Sequence, residues 1–258
     1  MTDTPILELR GISKRFGAVQ ALYEVDFHVS AGEVMALVGD NGAGKSTLIK
    51  CIAGIYSIDS GEVLFEGQAV SIHGPKDAAR LGIEIVYQDL ALADNLDVVQ
   101  NMFLGREEQT GLLRSLDELT MEKRANDTLA SLSVTTISSV RQTVAGLSGG
   151  QRQSVAVAKA VMWNSKLVIL DEPTAALGVA QTRQVLDLVK RLGEQGLAVV
   201  LISHNLHDIF EVATRITVLR LGKDVARFTT KATTQQEVVQ AITAGSMARV
   251  PGQDGEPA

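Results

Sequence analysis

A glycine-rich segment between an apolar run and an amphipathic run constrains this chain more than any other feature. Residues Gly39–Ser46 read Gly-Asp-Asn-Gly-Ala-Gly-Lys-Ser, after the apolar run Val34–Val38 and before the helical pattern of Thr47–Ile55. They match the G-x-x-x-x-G-K-[ST] pattern, in which glycines let backbone N–H groups wrap around phosphate oxygens. An accidental glycine-rich turn would not need the strand before it and the helix after it. We therefore predict a phosphate-binding loop.

The helix that follows this loop adds the positive end of its dipole to the predicted phosphate site. The Lys45 ammonium is expected to reach the β- and γ-phosphates, and the Ser46 hydroxyl is expected to bind Mg²⁺. The residues predicted to bind the phosphates are Gly39, Asp40, Asn41, Gly42, Ala43, Gly44, Lys45, Ser46 and Thr47.

An acidic pair follows a second apolar run. Asp171 and Glu172 come directly after Leu167–Leu170. In nucleotide-hydrolysing proteins with such a loop, a carboxylate at this place holds Mg²⁺, and its neighbour can orient the attacking water. Acidic residues also cap many strands as plain solvated groups, so the pair gains its meaning beside the loop at Gly39. We predict Asp171 as a metal ligand and Glu172 as a catalytic residue.

Two more polar residues follow predicted strands. Gln88 comes after Ile83–Tyr87, and His204 comes after Val199–Ser203. Taken singly, Gln88 could be a surface side chain and His204 a capping or buried histidine. Ligand sites of open α/β sheets gather at the carboxyl ends of the strands, so both are predicted to join the site. His207 has no further ligand cluster around it and is interpreted as a solvated helix residue.

The distribution of strands and helices predicts an α/β fold. The segments Ile6–Arg10 and Val25–Val29 are strand candidates of an N-terminal β part, and Gly61–Gly67 is hairpin-like. From Ile83 onward strands alternate with helical stretches, which favours a parallel sheet covered by helices. The segment of about 92–160 has helical composition, notably in Leu119–Leu132, and is interpreted as an inserted helical subdomain. One domain is predicted over 1–245, with a loose tail over 246–258.

Composition limits the partners. The net charge is -6 and the sequence pI is about 5.3, whereas neutralising nucleic-acid phosphates calls for a basic face, so no nucleic-acid partner is expected. The single cysteine, Cys51, excludes an internal disulfide and is interpreted as a small core residue. No signal peptide and no apolar run of membrane-spanning length are visible.

A second glycine-rich helix start lies at Leu147–Gln151, Leu-Ser-Gly-Gly-Gln. Such a start again suits an anion. One nucleotide does not need two such loops in one chain, so either there are two ligands or the second loop serves the nucleotide of another subunit. The residues predicted to contact it are Ser148, Gly149, Gly150 and Gln151.

With these motifs in this order, from about Ile6 to Arg220, the chain resembles the nucleotide-binding subunits of ABC transporters. The resemblance implies a P-loop NTPase fold of the ABC type, with an N-terminal antiparallel β subdomain, an inserted helical subdomain, and ATP and Mg²⁺ as ligands. It implies a head-to-tail dimer, in which each ATP lies between one subunit's phosphate loop and the partner's signature at Ser148–Gln151. It also implies that Phe16 stacks on adenine, that Glu172 is the catalytic base, that His204 contacts the γ-phosphate and that Gln88 senses Mg²⁺.

The resemblance extends to a branch of the family. The segments Gly82–Leu92, Asn101–Glu107 and Pro173–Val179 are similar to those of importers of simple sugars such as ribose, xylose or fructose. Membrane permease subunits, an extracytoplasmic solute-binding protein and a place on the cytoplasmic face of the inner membrane are what this likeness implies. Open alternatives are an importer of amino acids or other small solutes, a soluble ABC ATPase acting on DNA or ribosomes, and a non-hydrolysing nucleotide-gated module.

One residue departs from the family's pattern. After Pro173–Leu177 the family usually has Asp, and this chain has Gly178. Because that Asp helps to join the two sites across the dimer, its replacement is expected to leave ATP binding intact and to weaken dimerisation.

Overall fold

The computed structural model describes residues 4–111 and 115–245, so the predicted tail over 246–258 lies outside the described residues. The strands are β1 (Leu7–Phe16), β2 (Val19–Val29), β3 (Val34–Val38), β4 (Ser60–Phe65), β5 (Gln68–Ala69), β6 (Ile83–Val86), β7 (Gln109–Thr110), β8 (Ser115–Leu116), β9 (Leu167–Asp171), β10 (Ala198–Ile202), β11 (Arg215–Arg220) and β12 (Lys223–Thr229). The helices are α1 (Lys45–Ile52), α2 (Pro75–Leu81), α3 (Val98–Phe103), α4 (Glu118–Ser131), α5 (Gly149–Val161), α6 (Val179–Glu194), α7 (Leu206–Val212) and α8 (Gln235–Ala244). No helix in the described ranges has both the length and the apolar character needed to cross a membrane.

A six-stranded sheet forms the centre, in the order β12-β11-β3-β10-β9-β6. Its neighbours pair in parallel except β12, which pairs antiparallel with β11. Every residue of β3 and β10 is buried, which explains their continuous apolar sequences. The predicted α/β sheet is confirmed, and the strand predictions at residues 34, 83, 167 and 199 agree with the structure to within one residue at each end.

The N-terminal β part is an antiparallel sheet in the order β2-β1-β4-β5. Its strands β1 and β2 are longer than the predicted segments, because register shifts near Ile12 and Lys14 let the pairing continue although the alternation of buried residues is interrupted. One buried cluster joins this sheet to α1 and to one face of the central sheet; it includes Leu7, Phe27, Leu37, Leu48 and Ile52. Cys51 is buried in the same cluster, as predicted.

The chain between β6 and β9 contains α3, α4 and α5, which pack together with the other face of the central sheet in a second buried cluster. The predicted helix over 119–132 is present as α4. Buried Asn101 of α3 fastens the preceding loop, since its amide group bonds to the backbone of Ala93, Leu96 and Asp97. The short exposed hairpin β7–β8 has no signal in the sequence. The exact limits of this subdomain, about 92–160, stay a prediction.

Candidate nucleotide-binding site

The central sheet brings the predicted site residues to one edge. Ile202 of β10 pairs with Leu37 of β3 and with Asp171 of β9, while Leu170 pairs with Val86 of β6. Because these strands are parallel and in register, Gly39, Glu172, His204 and Gln88 all follow their strands at the same edge. The sequence-based expectation of one common edge is therefore met by the pairing of the strands.

The phosphate loop approaches its neighbours too closely for side chains at two glycines. Gly39 has φ +152°, and a Cβ there would lie 2.2 Å from the carbonyl oxygen of Leu219. Gly44 has φ +107°, and its Cβ would lie 2.9 Å from both the Ala21 carbonyl oxygen and Leu22 Cδ2. The loop therefore presents backbone rather than side chains, and α1 begins at Lys45 directly after it. The residues of this segment that are exposed include Asp40, Asn41 and Ser46. Thr47 is half-buried in the first turn of α1.

Lys45 is buried, with 8% of its surface exposed. Its ammonium donates hydrogen bonds to the carbonyl oxygens of Gly39 at 2.6 Å and of Asp40 at 3.1 Å. Burial lowers the pKa of Lys45, and the carboxylates of Glu172, Asp171 and Asp40 act in the opposite direction. The effect of these carboxylates indicates that the ammonium lies near the acidic pair. A phosphate oxygen bound by the loop would meet the ammonium there.

Glu172 and His204 face each other from neighbouring strands. Nε2 of His204 lies 3.1 Å from Oε1 of Glu172, and the backbone N–H of His204 donates to Oε2 at 3.4 Å. The 3.1 Å contact lacks hydrogen-bond geometry, so Oε1 is a buried oxygen without a hydrogen-bond partner among the described residues. Burial raises the pKa of Glu172, whereas His204 lowers it. A half-buried carboxylate with a raised pKa and a buried oxygen that can still accept a proton suits a general base.

The backbone at Glu172 is held in an uncommon conformation, with φ +51°. Its N–H donates to the carbonyl oxygen of Ile202 at 2.9 Å, and its own carbonyl oxygen accepts from Ala175 at 3.1 Å. Strained conformations of this kind persist where the surroundings over-determine them and cluster at functional sites. The uncommon backbone conformation at Glu172 sets the direction of its carboxylate at this edge of the sheet.

The residues predicted for Mg²⁺ fit a cation that is shared with a nucleotide. Burial raises the pKa of Asp171, and the charges of Lys45 and His204 oppose that rise. Ser46 and Gln88 are exposed at the same edge and offer oxygen ligands. In the described ranges no group of three or more His, Cys, Asp or Glu side chains could hold a metal. One carboxylate with hydroxyl and amide oxygens is the sparse set that Mg²⁺ uses when phosphates and waters complete its shell.

Asp208 was not predicted, although it links the two catalytic loops. It is 3% exposed, accepts from the Thr174 hydroxyl at 2.8 Å and accepts from the Asn205 amide at 2.9 Å. Thr174 lies in the turn after Glu172, and Asn205 follows His204. The only sequence signal is the N-cap to N3 spacing of Asn205 and Asp208 at the start of α7.

Phe16 ends β1 at the hairpin with β2, where it pairs with Val19. Phe16 is 41% exposed. Its ring meets that of Tyr56 edge to face, with ring centroids 5.0 Å apart. An aromatic face that is partly open to solvent can stack on a base. Neighbouring Ala21 and Leu22 of β2 contact Gly44, so the hairpin lies beside the phosphate loop.

The signature at Ser148–Gln151 starts α5 with a capping box. Ser148 Oγ accepts from the Gln151 N–H, and the Gln151 side chain accepts from the Ser148 N–H at 2.8 Å. A Cβ on Gly149 would lie 2.8 Å from Leu177 Cδ2, and one on Gly150 would lie 3.0 Å from Gln181 Cβ. These contacts go to the start of α6, not to the phosphate loop. Ser148 and Gly149 are exposed, so this helix start is open to another molecule.

His207 is exposed, in keeping with its interpretation as a solvated residue. Gly178 precedes α6 with extended backbone, φ -74° and ψ 162°, and its N–H donates to Gln181 at 3.4 Å. A Cβ at Gly178 would meet open space. Nothing in the fold of one chain therefore requires glycine at this position.

The chain is similar to proteins of a known family. A family model described as "ABC transporter" matches residues 22–175. The chain is 48% identical to the fructose import ATP-binding protein FrcA of Rhizobium meliloti, over 94% of this chain and 95% of that protein. It is 44% identical to the xylose/arabinose import ATP-binding protein XylG of Sulfolobus acidocaldarius, over 95% and 96%. The ribose import ATP-binding protein RbsA of Yersinia pestis is 43% identical over 87% of this chain, which spans 44% of that protein.

Solved structures give the same result for the fold. A nucleotide-free ATP-binding cassette from an ABC transporter superposes with a TM-score of 0.77 at 26% identity, covering 93% of this chain and 95% of that chain. The ADP conformation of an ATP-binding cassette superposes with a TM-score of 0.78 at 26% identity and the same coverage.

Proposed function

The chain belongs to the ABC transporter family, and from this membership we propose that it is the ATP-hydrolysing subunit of a monosaccharide importer. The names of its relatives support the sugar, because full-length matches are fructose and xylose/arabinose import ATP-binding proteins. The ribose relative is about twice as long as the matched region, which supports a single-unit chain that works with a second copy of itself.

The observation that carries the hydrolytic part is the group of three side chains at one edge of the sheet. Lys45 is held at the mouth of a backbone cradle, and the Glu172 oxygen that has no hydrogen-bond partner among the described residues lies beside His204. A cation that binds phosphate oxygens and a carboxylate that orients water, both beside a phosphate cradle, are parts that in-line attack of water on a γ-phosphate uses, and His204 is a further polar group beside them.

We assign roles in the reaction from these contacts. The Lys45 ammonium exchanges its loop carbonyls for the β- and γ-phosphate oxygens and stabilises their charge, while backbone N–H groups of 39–47 and the start of α1 bind the same phosphates. Glu172 accepts a proton from the attacking water through its free oxygen. His204 holds the Glu172 carboxylate in position. The exposed imidazole ring of His204 lies beside that carboxylate and reaches the γ-phosphate. Ser46, Asp171 and Gln88 would hold Mg²⁺, which neutralises phosphate charge when bound.

The second half of the site is proposed to come from another copy. Ser148 and Gly149 are exposed at the start of α5, and the neighbours of Gly149 are Leu177 and Gln181 rather than the phosphate loop. A head-to-tail dimer would bring them to the partner's nucleotide, where the helix start favours anionic oxygens. Phe16 would stack on the adenine, and Gln88 would pass closure of the dimer to the permease.

The remaining partners follow from the same proposal. Transmembrane permease subunits would carry the sugar, with an extracytoplasmic solute-binding protein delivering it. The chain would then act on the cytoplasmic face of the inner membrane. A nucleic-acid partner is not part of this proposal, since the chain carries a net charge of -6.

Uptake of labelled sugars in the source cell tests the transport function. A strain without this chain should lose uptake of one monosaccharide among fructose, xylose, arabinose and ribose, and the wild-type chain should restore it. Lys45→Ala should not restore uptake, whereas Lys166→Ala, at the opposite end of β9 and paired there with Glu66, should. Unchanged uptake of all four sugars in the deletion strain would contradict the proposed substrate class.

The solution mass of the Glu172→Gln chain, measured by light scattering with and without Mg·ATP, tests the composite site. Removal of the base should trap ATP and convert the monomer to a dimer. A chain that binds ATP and stays monomeric would contradict the self-sufficient dimer and leave the phosphate loop assignment standing.

A further inference from the structure

The two-residue turn between β11 and β12, Leu221–Gly222, touches the phosphate loop from a position far along the chain. The Gly222 N–H donates to the carbonyl oxygen of Ala43 at 3.0 Å. Upstream in the same hairpin, the Leu219 carbonyl oxygen lies against Gly39, where a Cβ would be 2.2 Å away. The hairpin therefore contacts the loop near both of its ends. Its position follows from the sheet order, since β11 is the neighbour of β3, which leads into the loop.

The same turn also contacts the hairpin that carries Phe16. The Gly222 carbonyl oxygen accepts from the Tyr23 N–H at 2.8 Å, and a Cβ on Gly222 would lie 2.7 Å from the carbonyl oxygen of Ala21. Both Ala21 and Tyr23 belong to β2, which pairs with the end of β1. One glycine thus bonds to the phosphate loop with its N–H and to β2 with its carbonyl oxygen.

The turn has an unfavourable backbone conformation, which indicates that neighbouring contacts hold it in place. Leu221 has φ +49° and Gly222 has φ +78°, the pair of positive angles of a tight hairpin turn. A leucine at positive φ is unfavourable, and its side chain is 76% exposed, so burial of that side chain does not offset the strain. The strained turn conformation allows Gly222 to contact the phosphate loop on one side and β2 on the other.

We propose that Gly222 is a positioning residue for ATP, which fixes the distance between the phosphate loop and the β1–β2 hairpin. This inference rests on the proposed nucleotide site, with phosphates on residues 39–47 and adenine on Phe16. A side chain at Gly222 would displace the Ala21 carbonyl group, which also lies against Gly44, since a Cβ on Gly44 would be 2.9 Å from that same oxygen. The two ends of the nucleotide would then no longer fit their subsites together.

The chain contains a matched control turn. Glu66 and Gly67 join β4 to β5 with φ +51° and +77°, so Gly67 occupies the same turn position as Gly222. Among the described residues, a Cβ on Gly67 would meet only Thr4 Cγ2, a side-chain methyl, at 3.0 Å. Alanine at Gly67 and alanine at Gly222 therefore carry the same backbone strain, and only Gly222→Ala disturbs the loop and β2.

The experiment compares Mg·ATP binding by wild type, Gly222→Ala and Gly67→Ala, with melting temperatures recorded for all three. Gly222→Ala should raise the Kd for Mg·ATP by about tenfold, equivalent to about 1.4 kcal/mol, and raise the KM for ATP more than it lowers kcat. Gly67→Ala should bind like wild type. Equal binding by all three chains would overturn the inference alone, whereas failure of the wild-type chain to bind would overturn the proposed function with it.

Amide exchange in the wild-type chain gives a second test, which stands even if Gly222→Ala does not fold. Saturating Mg·ATP should slow exchange at the amides of Gly222 and Tyr23 and leave the Glu66–Gly67 turn unchanged. Unchanged exchange at Gly222 and Tyr23 would overturn the positioning role.

Discussion

His204 and Glu172 are in contact across adjacent parallel strands, with Nε2 of the imidazole 3.1 Å from Oε1 of the carboxylate. The contact exists because β10 and β9 pair in register, so the residues that follow them are brought side by side. Their mutual position gives a half-buried carboxylate that lies near a histidine and has one oxygen without a hydrogen-bond partner among the described residues. It is the basis for the first prediction.

Glu172 should titrate above the usual range of a glutamate, because burial raises its pKa from 4.5. Glu237 is the internal comparison, since hydrogen bonds from Thr233 and Thr234 lower its pKa from 4.5. NMR titration of ¹³C-glutamate-labelled protein, assigned with Glu172→Gln, measures both. As the pH falls, Glu172 should take up its proton before Glu237. The reverse order would contradict the assignment of Glu172 as a poised base.

Asp208→Asn should lower kcat more than it changes the Kd for ATP. Asparagine offers one acceptor oxygen in place of two, so either the Thr174 hydroxyl or the Asn205 amide can no longer donate its hydrogen bond to residue 208 between the two catalytic loops. We expect kcat to fall by about tenfold to a hundredfold, with a loss of about 1–3 kcal/mol in the free energy of unfolding. ATPase assays, binding and thermal unfolding measure these effects. Exposed Asp127→Asn in α4 is the control and should change none of them; an equal loss of ATP affinity in Asp208→Asn would speak against a role restricted to the loops.

Gly178→Asp should strengthen ATP-dependent dimerisation. The backbone at Gly178 suits an N-cap residue, and a side chain there would enter open space. Asp would stabilise α6 by a few tenths of a kcal/mol and restore the carboxylate that the family usually has at this place. The measurement is the dimer dissociation constant with Mg·ATP in the Glu172→Gln background. Gly178→Asn is the matched control, because it caps the helix without the charge; equal dimer affinities for the two variants would mean that the charge has no role at the interface.

Phe16→Ala should weaken ATP binding by about tenfold, as expected when a base loses an aromatic partner. The exposed ring beside Tyr56 offers its face next to the phosphate loop. Phe16→Tyr keeps the ring and should bind ATP like wild type, and calorimetry compares the three chains. If inorganic triphosphate lost as much affinity as ATP in Phe16→Ala, the stacking assignment would be wrong.

Much of the architecture could be predicted because short patterns carry it. The buried strands β3, β9 and β10 are continuous apolar runs, and α4 has helical composition, so the predicted bounds of these elements agree with the structure to within one residue. The strands β1 and β2 were predicted too short, because their register shifts interrupt the alternation on which the prediction relied. The hairpin β7–β8 consists of exposed two-residue strands, which leave no hydrophobic signal.

The sequence by itself determined the phosphate loop, the acidic pair and the signature, because each is a local run whose spacing dictates its chemistry. Only the tertiary structure decided which distant residues support them. Asp208 joins Thr174 to Asn205 through part-buried hydrogen bonds, and Gly222 meets Ala43 and Tyr23 because β11 lies next to β3. These contacts join residues far apart in the chain, and the order of strands in a sheet fixes them, whereas a local pattern of residue types contains no record of that order.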